Sequence, residues 1–127
     1  VAGCELVQDV PDIEPYFRRL DVMLYAPEGG SGMKVKTLEA FAWGVPVVCT
    51  PDGIEGIPAR DGIEVQVDRS DEALVARTLT LLSRPDRACS QADAARSLFE
   101  RHCTPEPVLN QLEEVYASII AGRNWSN

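Results

Sequence analysis

Helices layered on a parallel β-sheet, an α/β fold, follow from three features of this 127-residue sequence. Short apolar runs alternate with helical patterns almost from the first residue, as βα repeats in a parallel sheet do. Two of those runs, Val22 to Ala26 and Pro46 to Cys49, lead into turns containing glycine and proline. The length suits one domain with its own core and leaves no room for a second of comfortable size.

Glu5 to Val7 reads as a short first strand. The turn Asp9-Val10-Pro11-Asp12 follows, with Asp12 placed to cap a helix that carries Ile13, Tyr16, Phe17 and Leu20 on one face. Val22 to Ala26 is a continuous apolar run stopped by Pro27, as expected of a buried strand. Val35, Leu38, Phe41 and Ala42 give the next helix an apolar side, and it ends near Trp43 with Gly44 as its C-cap. Pro46 to Cys49 predicts the next strand. The turns Thr50 to Gly56 and Asp61-Gly62 then lead to another at Ile63 to Val67. Three helices close the chain, at Asp71 to Leu82, Asp86 to His102 and Pro105 to Ala121, punctuated by Pro85 and Thr104-Pro105.

Hydrophobic residues at 45% and charged residues at 25% fit a globular protein and exclude disordered and fibrous classes. The longest apolar runs fall far short of the roughly 20 residues of a spanning helix, and no signal peptide is recognised. With 20 acidic against 12 basic residues the net charge is −8, which argues against nucleic acid as a partner. Any anion must therefore be caught locally. Cys4, Cys49, Cys89 and Cys103 show no metal or redox spacing and read as reduced structural thiols, which suits a cytoplasmic protein.

Ligands of an open parallel sheet bind beyond the C-terminal ends of its strands, where both turns lie. Glu28 to Gly32 and Pro51 to Gly56 should therefore border one crevice. The strongest signal is Gly30-Ser31-Gly32-Met33-Lys34-Val35-Lys36-Thr37-Leu38-Glu39-Ala40. Small residues let a backbone approach a ligand closely, and a helix start offers unpaired N–H groups and a positive dipole end to anions. Lys34 and Lys36 oppose that dipole, a cost that a bound phosphate would offset. The plainer alternatives are a tight turn without ligand and a helical ion pair of Lys36 with Glu39. Glu39, on a largely covered helix, needs donors of the kind that ribose hydroxyls provide. His102, near a helix C-terminus, reads as structural, Trp43 as a core or interface residue, and Asp52 and Glu55 as turn residues within reach of a ligand. No Ser/His/Asp, Cys/His or metal-ligand constellation can be assembled, so no catalytic residue is assigned.

Leu20 to Pro27, Gly30 to Ala42 and Gly44 to Thr50, taken in order, resemble the donor-binding half of a GT-B glycosyltransferase of the glycosyltransferase-family-4 type. Asp52-Gly53-Ile54-Glu55-Gly56-Ile57, Asp61-Gly62-Ile63 and the closing helices continue the likeness over nearly the whole chain. The resemblance implies a Rossmann-like three-layer αβα sandwich. It also implies a retaining transferase that moves a sugar from a nucleotide-diphosphate sugar, a UDP- or GDP-sugar, to a glycan or lipid acceptor without a catalytic metal, in a setting such as polysaccharide biosynthesis. The nucleotide sugar is then a substrate rather than a cofactor. Backbone amides around Gly32 and Met33 would hold the diphosphate, and Glu39, the second acid of the family's Glu-x7-Glu motif, would bind ribose. Ser31 stands where the first acid belongs. That departure is the best support for the alternative, a non-catalytic GT-B-like assembly or binding module, beside the leading reading of a donor-binding transferase part.

The resemblance further implies an N-terminal acceptor domain and a phosphate-gripping basic pair, neither found in residues 1–127. The chain would then be a partial donor domain, inactive by itself, in a full-length cytoplasmic protein that is able to sit peripherally at a membrane. In a sheet of order 3-2-1-4-5-6 its strands would be numbers 3, 4, 5 and 6, leaving open edges able to pair with another copy.

Overall fold

Residues 2–29 and 32–122 of the chain are described in a computed structural model. In chain order the elements are α1 (Glu14–Phe17), β1 (Met23–Tyr25), α2 (Val35–Trp43), β2 (Val47–Cys49), a 3-10 turn (Pro51–Ile54), β3 (Gln66–Val67), α3 (Asp71–Ser83), α4 (Pro85–His102) and α5 (Pro105–Gly122). The strands are parallel and lie in the order β1-β2-β3, with Met23 opposite Val47 and Val48 opposite Gln66.

β2 builds the core because it is covered on both faces. Val47 and Cys49 join Phe17, Ala40, Phe41, Val65, Ala95 and Leu98, whereas Val48 joins Leu74 and Leu81 of α3. Side chains alternate across a strand, so β2 separates a layer of α2 and α4 from a layer containing α3. The result is the Rossmann-like α/β sandwich. Gln91 of α4 is buried, and its amide donates to the Val47 carbonyl at 2.8 Å, which pins the helix to the central strand. At the end of α2, Gly44 takes the left-handed conformation (φ 69°) and its N–H reaches the Ala40 and Phe41 carbonyls. Only glycine adopts that turn without a Cβ penalty.

Several expectations are corrected. Glu5 to Val7 forms no strand: these residues are exposed and have no hydrogen-bonded neighbour strand among the described residues, and an unpaired strand gains nothing from being extended. Among the described residues the sheet therefore has three strands rather than four. The first helix is a single turn that stops before Leu20. Its N-cap is Ile13, while Asp12 acts one residue earlier by accepting the Glu14 N–H at 3.0 Å. The run Val22 to Ala26 is only half-covered, with Leu24 at 48% exposure, because β1 lies at the sheet edge.

The face that α2 buries is also rotated from the expected one. Thr37, Ala40 and Phe41 are buried, whereas Val35 is exposed. Trp43 stands half-open with the Arg18 guanidinium 5.0 Å from its ring centroid, a surface cation–π contact rather than a core position. Of the cysteines, Cys49 is buried, Cys103 half-buried, and Cys4 and Cys89 exposed, so only the first fits the expected core role fully. Among the described residues no helix is long and apolar enough to cross a membrane.

Candidate functional site

β1 and β2 end side by side, and the loops that leave them are laced together. Thr50 Oγ1 donates to the Pro27 carbonyl at 2.8 Å, and the Gly29 N–H donates to Asp52 Oδ2 at 2.8 Å. The second loop is also tied to α2, where the buried Thr37 Oγ1 donates to the Gly53 carbonyl at 2.7 Å. Gly53 is required there by close approach, since a Cβ would stand 2.8 Å from Cys49 Cβ and 3.3 Å from the Tyr25 carbonyl. The two loops thus border one crevice, as two glycine-containing turns at adjacent strand ends should.

The start of α2 faces this crevice. Its N-cap is Lys34, which provides no side-chain cap, and no acidic residue stands in the first turn. Helix starts normally carry such a cap or an acid, and a start without either suits an external anion. The Lys34 side chain is 6% exposed, and its Nζ lies 3.8 Å from Glu55 Oε2 on the second loop. Lys36 is exposed and turns the other way, with its Nζ 5.7 Å from the Tyr25 ring centroid. Its alternative partner, Glu39, is half-buried and forms no ion pair among the described residues. Gly32 and Met33 are exposed at the mouth, with Met33 at 77%. Gly30 and Ser31 lie outside the described residues.

A cavity of about 600 Å³ opens beside this mouth, walled by Met33, Leu38, Ile57, His102, Cys103 and Val108. His102 therefore stands at the crevice as well as at the C-terminus of α4. A second hollow, of about 440 Å³, sits near Pro46, before β2, and Asp21 is the one charged residue in its wall. It offers no counter-charge for an anion.

Chemistry at the crevice floor is quiet. Burial, with a smaller contribution from the Asp61 charge, pushes the Cys49 thiol up to about 12, so it stays protonated and unreactive. Glu64 is buried at the far end of the second loop, where the Arg60 guanidinium bonded to it holds its carboxyl below the usual range. The Arg60 N–H also donates to Glu64 Oε2 at 2.9 Å, which closes the loop on itself. No group of three or more His, Cys, Asp or Glu side chains that could hold a metal converges among the described residues.

Thr37, Gly53 and the Lys34–Glu55 contact had no place among the residues singled out from sequence as a unit. A hydroxyl on the helix that follows the glycine turn is the one local signal that pointed to Thr37. The other two depend on how the loops meet. No curated protein matches the chain closely enough to count as a relative. The family model for glycosyl transferases group 1 matches residues 1–84. That span contains β1, α2, β2, both loops and the start of α2, and the chain belongs to the glycosyl transferases group 1 family.

Proposed function

We propose that the chain is the donor-binding part of a retaining glycosyltransferase of the glycosyltransferase-family-4 type, using a nucleotide-diphosphate sugar. Membership of the family supports a role in glycosyl transfer. The observation that carries the finer reading is the acid-free, uncapped start of α2, with the buried Lys34 at its cap, opening on the crevice between two laced loops. Amides around Gly32 and Met33 and the Lys34 ammonium receive the diphosphate, with Lys36 as a second cation at the rim. Glu39, one to two turns further along and half-buried, accepts from the ribose hydroxyls. Gly30 and Ser31 are counted among the donor-binding residues in this reading.

Stabilising the charge of a leaving diphosphate from several sides, while an acceptor is held against the sugar, takes more groups than this crevice offers. The full-length enzyme therefore adds an N-terminal acceptor domain that binds a glycan or lipid, and residues 1–127 alone transfer no sugar. The outward edge of β1, where Leu24 is half-exposed, is the place where further strands or a second copy add to the sheet.

The test is ligand-detected and residue-resolved. Addition of UDP or GDP at millimolar concentration shifts the amide signals of Gly32, Met33 and Glu39, and Glu39→Ala abolishes transfer by the full-length protein. Unshifted signals with both nucleotides overturn the assignment of the donor site. Full transfer by the Glu39→Ala enzyme overturns the ribose role.

A further inference from the structure

We propose that Glu55 is a built-in counter-anion for Lys34, resting where the ligand's phosphate charge must go and displaced by it on binding. The proposal depends on the donor-site reading above. It assigns Glu55 the part of a competitor at that site.

An ammonium with 6% exposure needs anionic or polar partners to offset its lost hydration. Glu55 supplies negative charge, but across 3.8 Å, longer than a hydrogen bond, and from a side chain that is 66% exposed. An ion pair of this geometry is held loosely, because the carboxylate keeps most of its water and loses little by leaving. The frame around it is firm by contrast. Thr37 fixes the Gly53 carbonyl to α2, and Gly53 is wedged against Cys49 and the Tyr25 carbonyl, so the base of the second loop cannot slide relative to Lys34. Glu55 follows directly after the 3-10 turn, and rotation of its side chain alone carries the carboxylate into solvent.

A diphosphate brings more negative charge than one carboxylate and also meets the positive end of the α2 dipole, where neither a side-chain cap nor an acidic residue stands. It therefore takes Lys34 from Glu55 without moving the loop. Neutralising Glu55 should strengthen nucleotide binding, whereas a merely structural Glu55 would leave it unchanged or weaken it.

Calorimetric titration of the full chain with UDP, GDP and inorganic pyrophosphate at low ionic strength tests this on the wild type, Glu55→Gln, Glu55→Ala, Lys34→Gln and the Lys34→Gln/Glu55→Gln double variant. Both Glu55 variants are expected to bind UDP and pyrophosphate about two- to fivefold more tightly, with unchanged melting temperature. In the Lys34→Gln background the gain should vanish, which separates local competition from a general change in net charge. Binding by the wild type with no gain in either Glu55 variant overturns this proposal alone, and so does a gain that persists without Lys34. No binding of UDP, GDP or pyrophosphate by the wild type or the Glu55 variants overturns the donor-site reading together with it.

Discussion

α4 and α5 are both 18 residues long and both start at a proline, yet they differ in what they cover. α4 buries Gln91, Ala92, Ala95 and Leu98 against the sheet and α2, whereas α5 buries none of its residues. The difference runs against composition. α5 carries Val108, Leu112, Val115 and Ile119 at helical spacing, 39%, 47%, 54% and 46% exposed, and it is the more apolar helix of the two. α4 is buried because alanines at 92 and 95 allow close approach, and because Gln91 finds a main-chain acceptor on β2. An apolar stripe shows how a helix is able to pack. Whether anything lies against it depends on the rest of the molecule.

The largest expected effect is on α4. Leu98→Ala should destabilise by about 2–5 kcal/mol through the cavity it leaves, while Leu112→Ala on α5 should cost less than about 0.5 kcal/mol, as read by urea unfolding. Equal losses would break the contrast between the two helices. Gly53→Ala comes next: the added methyl meets Cys49 at 2.8 Å, and overpacking of this kind costs about 1–3 kcal/mol. A neutral Gly53→Ala in the same unfolding assay would show that the crevice floor yields as easily as the α5 surface.

Thr37→Val removes the buried hydroxyl and leaves the Gly53 carbonyl without its donor, at about 1 kcal/mol or somewhat more. It should also weaken UDP binding, since the loops lose their shared anchor; an unchanged dissociation constant would count against that link. The smallest effect is one of pH. Glu64 has a folded-state pKa held below its ordinary value of about 4.3 by Arg60, so its contribution is present above that pH and is lost as pH falls through the folded value. The melting-temperature gap between wild type and Glu64→Gln should therefore be full near pH 7 and close progressively below about pH 4. A gap that is constant with pH would assign the effect to packing alone.

Much of the fold was legible where periodicity is long or punctuation strong. α3, α4 and α5 begin and end within a residue or two of expectation, and Gly44 closes α2 as its position demanded. Glu5 to Val7 misled because extended residues become a strand only beside a partner, and none of the described residues provides one. The buried side of α2 differs from the expected Val35, Leu38, Phe41 and Ala42 because Thr37 packs inward, its hydroxyl satisfied by the Gly53 carbonyl. At the candidate site, the basic helix start and Glu39 stand in one short stretch of sequence. Glu55 and Lys34 lie on different loops, and their meeting is a tertiary fact that no local pattern encodes. Lys36 turned toward Tyr25 instead of Glu39 because an aromatic ring at the end of β1 offered a competing partner.

The hydrogen bond from Thr37 to Gly53 has a thermodynamic consequence for recognition. With the second loop locked to α2 before any ligand arrives, binding has little backbone left to order, and the entropic penalty falls on the ligand and a few side chains. Association should then be limited by diffusion and charge rather than by a slow closing step, and loosening this one bond would lower affinity chiefly through entropy, with the heat of binding almost unchanged.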